Sequence, residues 1–170
     1  MNVFDAIKNR RSVRDFKPDP VPEEKLNKVL EAARLAPSAH NAQDWKFIVV
    51  RDETKRKKLA KVAANQSFVG EAPVIIVAVA TNPEAVMSCG VPSYAVNLAI
   101  AVEHMALQAV EEGLGTCWIG AFSQNKVKEI LGIPKEYKVV ALLPLGFPAD
   151  SPREKVRKRL EEIVCYEKFK

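Results

Sequence analysis

A chain of 170 residues, 48% hydrophobic and 28% charged, is long enough for one domain with a real core and too apolar for intrinsic disorder. Its formal charge of +5 is mild and dispersed, which suits a phosphorylated ligand or plain solubility and makes no case for nucleic acid. Three cysteines with no CxxC pair, beside two histidines, suggest neither a disulfide framework nor a zinc site. At the N-terminus MNVFDAIKNRR carries charge within its first turns and has no apolar run ending in small residues, so no signal peptide is expected and the chain reads as cytoplasmic.

Val3, Phe4 and Ile7 predict a short helix that runs out at RRSVRDF (10–16). There Arg10, Arg11 and Arg14 surround the hydroxyl of Ser12. Forked guanidinium donors and a hydroxyl outline a socket for phosphate or carboxylate oxygens, while the plain alternative is a solvated basic end of the helix. Pro18 and Pro20 force extended chain, and Pro22, Glu23 and Glu24 open a helix whose Leu26, Val29, Leu30 and Ala33 follow the 3.6-residue period. APSAHNAQ (36–43) is a loop, and WKFIVV (45–50) a buried strand. Asp52 caps a basic helix to about residue 64, with Leu59, Val62 and Ala63 inward and its KRKK run a solvated face.

Residues 65–73 read as irregular, and VIIVAVA (74–80) as a central strand apolar on both faces. Residues 93–112 form the most apolar helix. Asn97, Glu103, His104 and Gln108 argue against a membrane span and for burial in a core or a dimer interface. Gly113 and Gly115 end it, TCWI (116–119) reads as a strand entering Gly120, 124–131 as a short helix stopped by Gly132 and Pro134, and KVVALLPL (138–145) as the last strand. From Pro152 the tail is basic, then mixed acidic and apolar. About four strands interleaved with helices make a single α+β domain that dimerises. The chain has no GxSxG elbow, Walker loop, GxGxxG after a strand or HExxH. His40 is open to two readings, a catalytic acid or a loop histidine bonded to backbone, and Cys117 to buried strand composition or a redox thiol.

Taken together and in order, RRSVRDF, PSAHNAQDWKFIVV, GLGTCWIGAF and a basic tail leading into LEEIV resemble the FMN-dependent nitroreductase family across essentially the whole chain. Asp44 stands where that family commonly has Pro, and Ala121 where it often has a second Gly. The resemblance implies a nitroreductase-like fold, a mostly antiparallel central sheet flanked by helices, in an intertwined homodimer whose segment 152–170 reaches the partner subunit. It implies FMN at the dimer interface. Arg10, Ser12 and nearby Arg11 match the phosphate-holding positions, Arg14 the residue near the flavin pyrimidine, and Lys155 and Arg157 a second grip on the phosphate. Pro37, Ser38, Ala39 and Asn41 match a loop that comes across from the other subunit. Trp118, Ile119, Gly120 and Ala121 match the strand end whose backbone faces the ring near N5, and Asn65 a contact to the flavin amide.

The implied activity is ping-pong hydride transfer from NADH or NADPH through FMN to nitroaromatic, quinone or flavin acceptors, with no side-chain nucleophile and no metal. A flavin-destructing or dehalogenating enzyme on the same scaffold, and a non-catalytic nucleotide or phosphate-ligand binding module, are the alternatives. Neither nucleic acid nor membrane figures as a partner.

Overall fold

VIIVAVA becomes β2 (Val74–Ala80), buried at every residue, and the rest of the chain is layered on it. The computed structural model describes residues 1–169; residue 170, the end of the tail, lies outside them. β1 (Trp45–Val50) pairs antiparallel with one side of β2 and β4 (Lys138–Gly146) with the other, and β3 (Gly115–Thr116) lies beyond β4, giving the order β1-β2-β4-β3. Register is set by pairs such as Trp45 with Ala80 and Val74 with Leu145.

Strand side chains alternate between faces, so β2 feeds two cores. Val74, Ile76, Ala78 and Ala80 meet α2 (Glu23–Arg34) and α5 (Ser93–Glu111) through Leu26, Val29, Leu98, Val102 and Met105. Ile75, Val77 and Val79 meet α3 (Glu53–Val62), α4 (Ser67–Glu71) and α6 (Gln124–Leu131) through Leu59, Val69 and Val127. Each fully buried Leu, Ile or Val contributes about 1.5–3 kcal/mol relative to exposure, which is why an unbroken apolar heptapeptide makes a stable centre. The caps are local: Asn2 accepts from the Asp5 N–H ahead of α1 (Val3–Asn9), Asp52 from the Lys55 N–H ahead of α3, and Gly132 takes the left-handed conformation that ends α6.

Three expectations are corrected. Residues 65–73 are not wholly irregular, because α4 forms a single turn whose Gly70 lets it press on α3; a Cβ there would sit 3.2 Å from the Ala60 Cβ. WKFIVV is a half-buried edge strand, with only Val50 buried, since among the described residues no strand pairs with its outer side. TCWI is not one continuous strand: β3 stops at Thr116 and pairing resumes only at Ile119, which exchanges hydrogen bonds with Leu142. Pro144 explains the gap. Two residues from Leu142, it faces the same neighbour and has no N–H to offer, so Cys117 and Trp118 leave the ladder.

The apolar helix resolves as core on one face: Leu98, Ala101, Val102, Met105 and Ala109 are buried, Ala99 and Glu103 exposed. Val3, Phe4, Ile7 and Leu35 remain exposed, and the tail exposes Val156, Leu160, Ile163, Tyr166 and Phe169. Among the described residues no helix is long and apolar enough to cross a membrane.

Candidate functional site

RRSVRDF is laid out by strand alternation. After α1 ends at Arg10 the chain runs extended beside β3, bridged in parallel from Ser12 to Thr116, with the Val13 N–H donating to the Thr116 carbonyl at 2.9 Å. Gly115 makes this approach possible: a Cβ there would stand 2.5 Å from Val13 Cγ2. Val13 is buried between the exposed Ser12 and Arg14, an alternation that ends before Phe16, which is buried although it shares their parity. The period of two therefore sorts the arginines.

Arg11, on Val13's side of the strand, turns away to clamp Asp150. Its Nη1 donates to Asp150 Oδ2 and its Nη2 to the Asp150 carbonyl, both at 2.7 Å. Nη2 also lies 2.7 Å from Oδ1, yet that buried oxygen has no aligned donor and is held by charge alone. The bond from Arg11 holds the Asp150 carboxyl below its ordinary range. Arg11 is thus committed to the root of the tail.

Arg10, Ser12 and Arg14 converge instead on Cys117. Burial pushes the Cys117 thiol up, against the downward pull of Arg14, a hydrogen bond with Ser12 and Arg10. The tail returns to the same place, where Lys155 donates to the Lys8 carbonyl at the end of α1. Burial, then the charges of Arg10 and Arg157, hold the Lys155 ammonium below its ordinary value. Among the described residues Arg10 has one acidic neighbour, Glu103 at 3.6 Å. Three arginines, a lysine and a hydroxyl crowded against a single half-exposed carboxylate are an excess of donors that a phosphate dianion would satisfy. In donor chemistry the cluster fits FMN's phosphate.

Trp118–Ala121 continue from Cys117 where the ladder breaks. Trp118 is 43% exposed, Gly120 and Ala121 are exposed, and Ile119 is anchored to Leu142. The Ser123 N–H bonds the Val62 carbonyl at 2.9 Å, which ties the end of α3, and the exposed left-handed Asn65 just beyond it, to this stretch.

The 37–43 loop lies elsewhere. It precedes β1, at the opposite edge of the sheet from β3, three strand spacings or roughly 14 Å away. Pro37 and Asn41 are exposed and Ser38 and Ala39 half-buried; among the described residues no hydrogen bond or ion pair joins this loop to the arginine cluster. Ser38 Oγ accepts from the Gln43 N–H at 3.1 Å, Asn97 Oδ1 accepts from the Ala39 N–H at 3.0 Å, and His40, Asn41 and Gln43 all have positive φ. His40 is exposed. The structure therefore brings together Arg10, Ser12, Arg14, Lys155, Arg157 and 118–121, sets Asn65 close by, diverts Arg11 and leaves 37–41 apart.

A cavity of about 1010 Å³ between the 16–21 run and α3 and α4 touches only Asn65 of the predicted site residues. We place the site at the cationic cluster because donor chemistry, and not volume, selects a ligand. Asn97 joins the 37–43 loop, a partnership that the sequence signals by nothing more than an amide among hydrophobics.

A model of the nitroreductase family matches residues 7–81 and 61–147. An NADH dehydrogenase of Thermus thermophilus is 33% identical over 192 aligned positions, covering 95% of this chain and 94% of that protein. Among solved structures, a nitroreductase family protein of Clostridium novyi NT is 41% identical with a TM-score of 0.84, covering 91% of this chain and 89% of the other. An FMN-dependent nitroreductase of Clostridium difficile R20291 is 30% identical with a TM-score of 0.86, covering 96% and 98%.

Proposed function

Since the chain belongs to the nitroreductase family, we propose that it is an FMN-dependent oxidoreductase that moves hydride from NADH or NADPH to nitroaromatic, quinone or flavin acceptors. The observation that carries this reading is the donor cluster at one sheet edge beside the exposed 118–121 turn. Arg10, Ser12, Lys155 and Arg157 hold the cofactor's phosphate, and Arg14 stands by the pyrimidine edge, where a cation stabilises negative charge. Bound FMN supplies the two-electron hydride chemistry at N5. Backbone N–H groups of Gly120 and Ala121 orient that atom, and Asn65 reaches the flavin amide. Arg11 serves the site indirectly by pinning residue 150, and with it the tail that carries Lys155 and Arg157.

A single chain offers only part of this wall. Pro37, Ser38, Ala39 and Asn41 reach it from a second copy, which makes the working unit a homodimer with two shared sites. The uncovered apolar side chains support this: Val3, Phe4, Ile7 and Leu35 form a face for a second copy, and the exposed Leu160, Ile163, Tyr166 and Phe169 suit a tail that reaches across to the partner. The outer side of β1 is an unpaired edge in the same region as the loop.

The test is direct. Purified protein is expected to be yellow, to release FMN on denaturation, and to bleach anaerobically with NADH or NADPH and recover colour on addition of a quinone or nitroaromatic. A colourless protein that fails to take up FMN overturns the proposal. Bound flavin that neither nucleotide bleaches would mark a binding module.

A further inference from the structure

Asn97 is a primary amide inside the most apolar helix of the chain, 2% exposed and next to the core residue Leu98. An unpaired amide there would be costly, so its partners identify its task. Its Oδ1 accepts the Ala39 N–H at 3.0 Å and its Nδ2 donates to Asp44 Oδ1 at 3.4 Å. The Asp44 carbonyl in turn accepts the Thr81 N–H at 3.0 Å, which fixes it to the end of β2. The two contacts bracket the left-handed residues His40, Asn41 and Gln43. Non-glycine backbone in that region persists only where the surroundings over-determine it, and one buried amide gripping both ends of the segment does so.

We propose that Asn97 is the positioning residue that presents the 37–43 loop to the flavin, and that Asp44 orients its amide. The inference rests on the reading of that loop as the second-subunit wall of the FMN site. Asn97 touches neither cofactor nor substrate; it acts through Ala39. The pair also sets the polarity of the arrangement, because one side chain must supply both an acceptor to Ala39 and a donor to Asp44, which an amide does and a carboxylate or an alkyl group does not.

The experiment is a side-chain exchange read by FMN affinity of the purified dimer, from the change in flavin fluorescence on titration, alongside thermal unfolding of the flavin-free protein. Asn97→Leu leaves the Ala39 N–H unpaired, and Asn97→Asp sets two carboxylates 3.4 Å apart; each is expected to weaken FMN binding about tenfold. Asn97→Asp combined with Asp44→Asn exchanges amide and carboxylate across the same bond and should restore affinity to within about threefold of the parent. Asp44→Ala, at a half-buried loop position, leaves the helix untouched and should weaken binding by about threefold should Asn97→Leu fail to fold. Lowered thermal midpoints with unchanged FMN affinity of the folded protein would reduce Asn97 to a structural residue and overturn the proposal. So would an exchange variant that folds yet stays weak. Parent protein that takes up no FMN sinks the underlying reading as well, whereas parent and Asn97→Leu binding equally sinks this inference alone.

Discussion

Asp150→Ala isolates the clamp that roots the tail. The substitution removes one charge-assisted hydrogen bond from Arg11 and the ionic contact at Oδ1, while the Asp150 carbonyl keeps its bond from Nη2. Hydrogen bonds to charged groups contribute about 1.5–3 kcal/mol, and with the Asp150 side chain 30% exposed the lower half of that range applies, so about 1.5–2 kcal/mol is expected at pH 7. Arg11→Ala also loses the carbonyl bond and should cost about 0.5–1.5 kcal/mol more. In a double-mutant cycle the coupling between the two should be about 1 kcal/mol or above. Because the folded carboxyl lies below the unfolded value of about 3.9, its contribution is fully present above that pH and is lost as pH falls through the folded value. The gap between parent and Asp150→Asn should hold from pH 7 to 5 and close below about 4. Urea unfolding followed by circular dichroism, at one fixed protein concentration because the stability of the proposed dimer depends on it, measures both. A coupling near zero would refute the clamp. So would Arg11→Ala releasing FMN as readily as Arg10→Ala while Asp150→Ala retains it, since Arg11 would then be touching the phosphate itself.

Arg10→Ala combined with Arg157→Ala should weaken FMN retention by roughly a factor of ten or more per contact, measured by equilibrium dialysis, and should weaken riboflavin, which lacks the phosphate, far less. Cys117, buried and held toward the thiol, should resist iodoacetamide at pH 8 in the folded protein while exposed Cys89 reacts; peptide mass spectrometry separates them, and modification of both at equal rates would contradict the packing. Gly115→Ala places a methyl 2.5 Å from Val13 Cγ2 and should destabilise by about 1–3 kcal/mol while displacing the strand that carries Ser12 and Arg14, so the thermal midpoint and FMN affinity should fall together.

Elements whose cause is local were legible in the residues. VIIVAVA needs only its own apolar run to read as a central strand, and the α2 period, the Gly132 and Pro134 stop of α6 and the Asp52 cap are equally self-contained. Elements whose cause is distant were not. The break at Cys117 is imposed by Pro144, 27 positions on and already visible inside KVVALLPL, but its meaning depends on which neighbour residue 144 faces. The Arg11 clamp joins residues 139 apart, so the stretch alone could not say which arginine turns away; strand alternation decides it once Ser12 is seen beside Thr116. One-turn α4 is too short to show a period, and WKFIVV looks buried because its aromatic and β-branched content does not reveal that it lies at the sheet edge.

The placement of the arginine strand and the 37–43 loop on opposite edges of one sheet has a genetic consequence in the proposed dimer. Two inactive alleles, one altered at Arg10 and one in the loop, can complement each other. In a mixed dimer one site inherits both lesions and the other inherits none. With equal expression and random pairing half of the dimers are mixed, so about a quarter of all sites work, whereas two alleles altered in the same half restore nothing.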